Sequence, residues 1–181
     1  MRIVAGAWRG RALVAPPGQT TRPTADRVRQ ALFDRLLHAP WGGPALFEDA
    51  TVLDVFAGTG ALGLEALSRG AARAVFMEQD RTALAALRAN IEACGTARRA
   101  SVLAVDATRP PPGQPAGLAF LDPPYGQDLG PRAVAALRAA QWLAAGAVVV
   151  LETGRGEAMP ALGECLASTE HGMARMTIWR I

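Results

Sequence analysis

The sequence predicts an α/β fold: a seven-stranded, mostly parallel sheet with helices on both faces, preceded by a small β-hairpin and a helix. Three observations carry this. From Thr51 onward, short apolar runs alternate with helix-spaced segments, the pattern of a parallel sheet covered on both sides. A glycine-rich turn, Gly58-Thr59-Gly60-Ala61-Leu62-Gly63, joins the first such run directly to a helix. And the chain has 181 residues, 50% hydrophobic and 19% charged, which is the composition of one globular unit with a short appendage. A chain of this size buries roughly 70% of its unfolded surface, so its core needs no disulfide or metal staple.

The elements follow in order. Residues 1–44 read as a basic N-terminal extension and residues 45–181 as the main domain. In the extension, Ile3 and Val4 face Leu13 and Val14 across Gly6-Ala7-Trp8-Arg9-Gly10, a hairpin pattern over Arg2 to Val14. Pro16-Pro17-Gly18 breaks the chain. A helix then opens at Arg22-Pro23-Thr24, with Thr24 as the cap, Asp26 in the first turn, and Val28, Ala31, Leu32 and Leu36 at helical spacing. In the main domain, strands are expected at Val52–Phe56, Ala74–Met77, Ser101–Val105, Leu118–Leu121 and Ala147–Leu151. Helices are expected after the glycine turn through Arg69, at Arg81–Cys94 and at Arg132–Leu143. Cys165–Ser168 and Met173–Trp179 predict a closing hairpin that turns at His171-Gly172.

Charge is uneven. Residues 1–40 carry seven Arg against Asp26 and Asp34, and the remainder carries twelve Arg against fourteen acids. A cationic arm on a near-neutral body suggests contact with a polyanion such as nucleic acid. The two cysteines, Cys94 and Cys165, lie far apart without CxxC spacing. They argue against a metal or disulfide framework and for a reducing, cytoplasmic setting. No signal peptide or membrane-length apolar run is read.

Two constellations carry chemistry. The first is Asp54-Val55-Phe56-Ala57-Gly58-Thr59-Gly60, with Glu78 ending the next strand. Glycine at a strand-to-helix turn allows a tight bend and close approach of a ligand. An acid ending the second strand can accept ribose hydroxyl protons. These features also fit a dinucleotide fold. Asp54 favours S-adenosylmethionine (SAM) over NAD, because a carboxylate beside the glycine turn suits a cation and repels a pyrophosphate. Asp106-Ala107, after the third strand, places a further acid where the adenine amino group can donate.

The second constellation is Asp122-Pro123-Pro124-Tyr125, after the fourth strand. Consecutive prolines fix φ and remove two backbone donors. That leaves the Asp122 carboxylate and neighbouring carbonyls as a rigid set of acceptors beside an aromatic face. An exocyclic amine on a nucleobase is a poor nucleophile, since its lone pair is delocalised into the ring. Acceptors on its N–H bonds favour a more nucleophilic nitrogen, and the Tyr125 ring can stack on an unstacked base.

On these residues the chain resembles the class I SAM-dependent methyltransferases with a Rossmann-like sheet, specifically those acting on exocyclic amines. Met1-Arg2-Ile3-Val4-Ala5-Gly6, Trp8-Arg9-Gly10-Arg11, Thr21-Arg22-Pro23-Thr24-Ala25-Asp26-Arg27-Val28-Arg29-Gln30-Ala31-Leu32-Phe33 and Leu53 through Ala71 narrow the resemblance to the bacterial RsmD family. It covers nearly the whole chain. Gln30, where the family often has Glu, and His171-Gly172, where it has Tyr-Gly, depart from the pattern.

The resemblance implies methyl transfer from SAM to N2 of a guanine in 16S ribosomal RNA, with S-adenosylhomocysteine as the other product. It also implies an assembled or assembling small subunit as substrate, with no membrane partner; a monomer suffices. The candidate catalytic residues are Asp122, Pro123, Pro124 and Tyr125. The candidate cofactor residues are Asp54, Phe56, Ala57, Gly58, Thr59, Gly60, Glu78, Gln79, Asp106 and Ala107. For RNA the candidates are Arg9, Arg11, Arg22, Thr24 and Arg27, and no metal is expected. Three other readings compete: a DNA or RNA adenine or cytosine amino methyltransferase, an NAD(P)-dependent oxidoreductase, and a non-catalytic RNA-binding assembly factor. Asn90 is expected on a helix surface, and neither His38 nor His171 is given a role.

Overall fold

The computed structural model describes residues 1–16 and 23–181. The first helix, α1, spans Pro23–His38. Helix and strand then alternate as β1 Thr51–Val55, α2 Ala61–Ser68, β2 Arg73–Glu78, α3 Arg81–Ala93, β3 Ala100–Ala104, β4 Ala116–Leu121, α4 Leu129–Ala139, β5 Leu143–Gly154, β6 Glu164–His171 and β7 Ala174–Arg180. The strands form one seven-stranded sheet in the order β3-β2-β1-β4-β5-β7-β6. The first five are mutually parallel, and β7 pairs antiparallel with β5 and with β6. This is the expected sheet, with the closing hairpin turning at His171 and Gly172.

Strand alternation divides the core. Val52, Phe76, Leu118, Phe120 and Val150 face α1, α2 and α3, while Leu53, Met77, Ala119, Leu121 and Val149 face α4 and Trp142. The helices are thus unequally shared, three on one face and one on the other. Order reverses between β1 and β4, and in open sheets of this kind the crevice at such a reversal, beyond the carboxyl ends of the strands, is where ligands bind. Val55 is in register with Leu121, and Leu121 with Leu151. The residues that follow therefore stand side by side: Phe56 and Asp122 where β1 and β4 end, and Glu152 still within β5, opposite Met176 of β7.

The N-terminal arm runs out and back as a short hairpin: Ile3 donates to the Arg11 carbonyl, Gly10 to that of Ile3 and Leu13 to that of Met1, at 2.8–3.0 Å. Among the described residues its pairing is shorter than expected, a single antiparallel bridge from Arg2 to Ala12, and Gly6–Trp8 form a 3-10 turn. The reason is where its amides go. Val4 and Ala5 donate to the two Glu65 carboxylate oxygens at 2.8 and 3.0 Å, and Trp8 donates to Ser68 Oγ at 3.0 Å. These bonds end the pairing and tie the arm to α2. Gly6 has φ of +78°, and a Cβ there would stand 1.9 Å from the Ser68 carbonyl oxygen, so only glycine fits. Ile3 and Leu13 are buried in the same core as Phe33, Leu64 and Phe120. Trp8 packs against that core with the Arg99 guanidinium 5.8 Å from its ring centroid.

Smaller boundaries also shift. Thr24 lies within α1, one residue after Pro23, not before the helix as its cap. Proline suits the first turn, where its missing amide would be unpaired anyway. Asn90 is buried, not on the helix surface. Its amide group donates to the Val14 and Thr59 carbonyls, and its oxygen accepts the Val14 amide, at 2.7–3.0 Å. It thereby ties the arm to the glycine turn. Among the described residues, no helix is long and apolar enough to cross a membrane.

Candidate active site

Two adjoining clefts open at the strand reversal and share Phe56, Gly58 and Asp122. One, of about 800 Å³, is lined by Asp54, Thr59, Leu62, Glu152, Arg29 and the His171–Ala174 turn among others. The other, of about 520 Å³, is lined by Glu78, Gln79, Asp80, Ala107, Pro123, Pro124 and Tyr125 among others. Both constellations expected from the sequence thus face one continuous space.

The glycine turn is built for close approach. Gly58 has φ of +54°, and a Cβ there would meet nothing within 4 Å, whereas a Cβ on Gly60, at φ +78°, would meet Leu87 at 2.4 Å. Gly58 is open to a ligand; Gly60 lines neither cleft and serves the turn's packing against α3. Phe56 adopts φ of +59°, a costly conformation for a bulky side chain. It is held there at the end of β1, where it lines both clefts.

The acids are arranged unequally. Asp54 is 2% exposed and accepts the Gly63 amide at 2.8 Å. Burial pushes its carboxyl up to about 8, with the charges of Asp122 and Glu78 adding to the shift. Asp122 is pushed up to about 7, by burial first and then by the Glu152 carboxylate. Glu78 accepts the Gly58 amide on one oxygen and those of Gln79 and Asp80 on the other, each at 2.8 Å. Three of a carboxylate's four lone-pair positions are then occupied, leaving room for one ribose hydroxyl and not two. Asp106 accepts the Thr108 amide and hydroxyl on one oxygen, both at 2.8 Å. Those bonds hold its carboxyl below the usual range, and only its second oxygen stays free for an adenine amine.

These residues fit SAM. Asp54, Asp122, Glu78 and Glu152 border the space, and none of them forms an ion pair with a basic side chain among the described residues. Arg29, the nearest base lining the cleft, is committed to Asp26 at 2.9 Å and stands 3.7 Å from Glu65. A set of carboxylates with no basic partner, Asp54 buried and the other three open to the clefts, is suited to a cation and is hostile to a pyrophosphate. No cluster of His, Cys, Asp and Glu among the described residues could hold a metal ion.

The arginine candidates separate. Arg9 and Arg27 are exposed and have no ion-pair partner among the described residues. Arg11 donates to the Ala93 carbonyl at the end of α3. Arg22 lies outside the described residues, and Thr24 is placed only as part of α1. The basic surplus of the arm is partly spent internally, since Arg2 and Arg29 both pair with Asp26. Sequence reasoning missed Glu152 and His171, which line the larger cleft. Glu152 had a signal: an acid directly ending the fifth apolar strand. His171 becomes significant only once the β6–β7 turn is seen to fold over the cleft.

The sheet order, the glycine turn after β1 and the acids at the carboxyl ends of β1, β2 and β4 define a class I SAM-dependent methyltransferase fold. The family described as conserved hypothetical protein 95 matches residues 1–180, and the chain belongs to it. Ribosomal RNA small subunit methyltransferase D of Escherichia coli K12 is 38% identical over 164 residues, covering 90% of this chain and 79% of that one. The protein of the same name from Haemophilus influenzae is 37% identical over 158 residues, with 84% and 78% covered. Among solved structures, Escherichia coli yhhF superposes with a TM-score of 0.83 at 36% identity, covering 99% of this chain and 97% of that one. A Thermus thermophilus 16S rRNA N2 G1207 methyltransferase, solved with AdoMet and guanosine, has a TM-score of 0.67 at 22% identity, covering 91% and 44%; the likeness there is of fold.

Proposed function

We propose that this protein methylates ribosomal RNA of the small subunit, at the exocyclic N2 amine of a guanine, using SAM. The observation that carries the reading is the convergence of Asp54, Gly58 and Asp122 on one cleft at the strand reversal. The similarity to ribosomal RNA methyltransferases over most of the chain supports the substrate class. The choice of guanine N2 rests on the sequence resemblance to the RsmD family. A cytoplasmic protein acting as a monomer on an assembled or assembling subunit completes the proposal.

Bound SAM supplies an electrophilic methyl group on a positively charged sulfur. The protein's own residues do the rest. Asp54 and the open Gly58 backbone hold the charged end, Glu78 and Gln79 the ribose, and Ala107 with the free Asp106 oxygen the adenine. Asp122 and the Pro123 carbonyl accept hydrogen bonds from the target amine, which localises its lone pair. Pro123 and Pro124 keep those acceptors rigid. Tyr125, 44% exposed, offers its ring to the base. Tyr125 lines the smaller cleft, and the larger cleft, bounded by Val28 on α1 and Met173 in the β6–β7 turn, adjoins it at Asp122 with room for that base.

The deciding experiment incubates the protein with methyl-labelled SAM and small subunits lacking the modification, then identifies the labelled nucleoside. N2-methylguanosine at one site is expected. A labelled adenosine or cytidine would overturn the base assignment, and label in no RNA would overturn the substrate class.

A pH dependence follows from the two raised carboxyls. Below about 7 both are largely neutral and attract a cation weakly; above about 8 both are ionised. SAM affinity should therefore rise between about pH 6 and pH 9, and Asp54→Asn should remove most of that rise in calorimetric titrations. The ligand-free protein should behave oppositely. A folded-state acid raised above its unfolded value binds extra protons between about pH 4 and pH 8, so stability contributed there is lost as pH rises.

The RNA surface has its own test. Arg9→Ala and Arg27→Ala should each weaken subunit or RNA binding and reduce its salt slope by about one, leaving SAM affinity intact. An unchanged salt slope removes that arginine from the interface. Removing residues 1–20 whole would not serve, because Ile3 and Leu13 belong to the core.

A further inference from the structure

We propose that Glu152 is a positioning residue of the site: its carboxylate accepts the Tyr125 hydroxyl proton and so fixes the aromatic ring, which lines the smaller cleft next to Asp122 where the two clefts meet. The proposal rests on the methyltransferase reading above and extends it to a residue that none of the chain's motifs includes.

Three observations carry it. Leu121 and Leu151 are register partners on adjacent parallel strands, so Asp122, just past β4, stands beside Glu152, still held in β5 by its pairing with β7, and both line the larger cleft. The loop after Asp122 then crosses over β5, and the Tyr125 hydroxyl bonds Glu152 Oε1. The next residue is held as well: the Gly126 amide donates to Glu157 Oε1 at 2.8 Å, and that same oxygen accepts the Gly154 amide at 3.2 Å. The Asp-Pro-Pro-Tyr loop is thus fixed at its start by two prolines and at its end by two glutamates from the β5 side. An aromatic ring that stacks on a base gains from being held before the base arrives, since ordering it on binding costs affinity. The hydroxyl is the only atom of Tyr125 that can be held without covering the ring face.

The groups facing this pair are mostly acidic. Asp122, Glu152 and Glu157 all favour the protonated phenol, whose ionisation is pushed well above the ordinary tyrosine range by burial first and then by Glu152. Asp54 and His171 also border the cleft, as does Arg29, which is already paired with Asp26.

Tyr125 is the chain's single tyrosine, so a ¹³C-tyrosine label gives one unambiguous NMR signal. In the wild-type full chain the Cζ resonance should show no phenol ionisation through the ordinary range near about pH 10. Glu152→Gln, which keeps an acceptor and loses the charge, should move the titration downward. Glu152→Ala should move it further, though not fully, because Asp122 and Glu157 remain. An identical titration in all three proteins overturns the proposal.

A kinetic cycle tests the consequence. Glu152→Ala and Tyr125→Phe should each lower kcat about tenfold, the scale of one hydrogen bond, with KM for SAM little changed. The double variant should cost no more than the worse single one, because both remove the same contact. Additive losses would show that Glu152 does not act through Tyr125. If the wild-type protein labels no ribosomal RNA, the functional reading fails, while the NMR titration still decides the Glu152 contact.

Discussion

Asp122→Ala is expected to reduce methyl transfer by at least about a hundredfold while leaving SAM affinity within a few-fold of wild type. The magnitude follows from removing a pre-organised polar partner of a reacting group, which commonly costs about 10²- to 10³-fold in turnover. The split follows from the geometry. In the proposed reading Asp54, Gly58 and Glu78 hold the cofactor, whereas Asp122 stands where the two clefts meet. Single-turnover rates with labelled SAM, beside calorimetric SAM titration, separate the effects. Near wild-type turnover in the variant would remove Asp122 from the chemistry. Asp122→Asn makes the informative companion. It retains a carbonyl acceptor without the charge, so it should keep part of the activity and lose the rise in rate that ionisation at about 7 gives the wild type.

The second large effect lies away from the cleft. Glu65 is fully buried. It accepts the Val4 and Ala5 amides and Arg69 Nε, the last at 2.8 Å, and stands 3.7 Å from Arg29 Nε. Arg29 and Arg69 are themselves almost wholly buried, at 5% and 7% exposure. Glu65→Ala would leave two backbone amides without their acceptor, remove the shortest ion pair of Arg69, and leave Arg29 to Asp26 as its one remaining carboxylate among the described residues. Breaking a buried ion pair from one side costs about 3–5 kcal/mol, and for a chain of this length that is a fall in Tm of roughly 10 °C. A thermal melt of the ligand-free protein checks it. A fall of only about 1–2 °C, well short of that scale, would mean that the arm and the two arginines find other partners. Glu65→Gln should fall between, since it keeps acceptors for the amides and loses the charge.

The parts of the molecule that local sequence determines are legible in it. The glycine turn and the Asp-Pro-Pro-Tyr motif are each specified by adjacent residues, and each sits at a strand end where apolar runs stop. The seven-stranded, mostly parallel sheet and the closing hairpin follow from the same runs together with the family resemblance. What escapes is set by contacts across long stretches of chain. The arm's apolar residues alternate as a hairpin's would, yet its amides are claimed by Glu65 and Ser68 about sixty residues later. Asn90 carries no local sign that it will be buried, because its partners Val14 and Thr59 lie in other elements. β5 is longer than its apolar run, Leu143–Gly154 instead of Ala147–Leu151. Gly146, at φ +77°, lets the strand carry an irregularity in its pairing with β4 that a continuous pattern does not reveal. Glu152 escapes because its meaning depends on which strand becomes the neighbour of β4.

The anchoring of the arm also bears on the order in which the molecule assembles. Val4 and Ala5 find their acceptor 61 and 60 residues downstream, and Val14 finds Asn90 76 residues downstream. During synthesis these residues leave the ribosome before α2 and α3, yet they have nowhere to settle until those helices have been made. Contacts of such long sequence separation form late and slowly. The beginning of the chain is therefore among the last parts to take its place, and it closes over helices that are already formed.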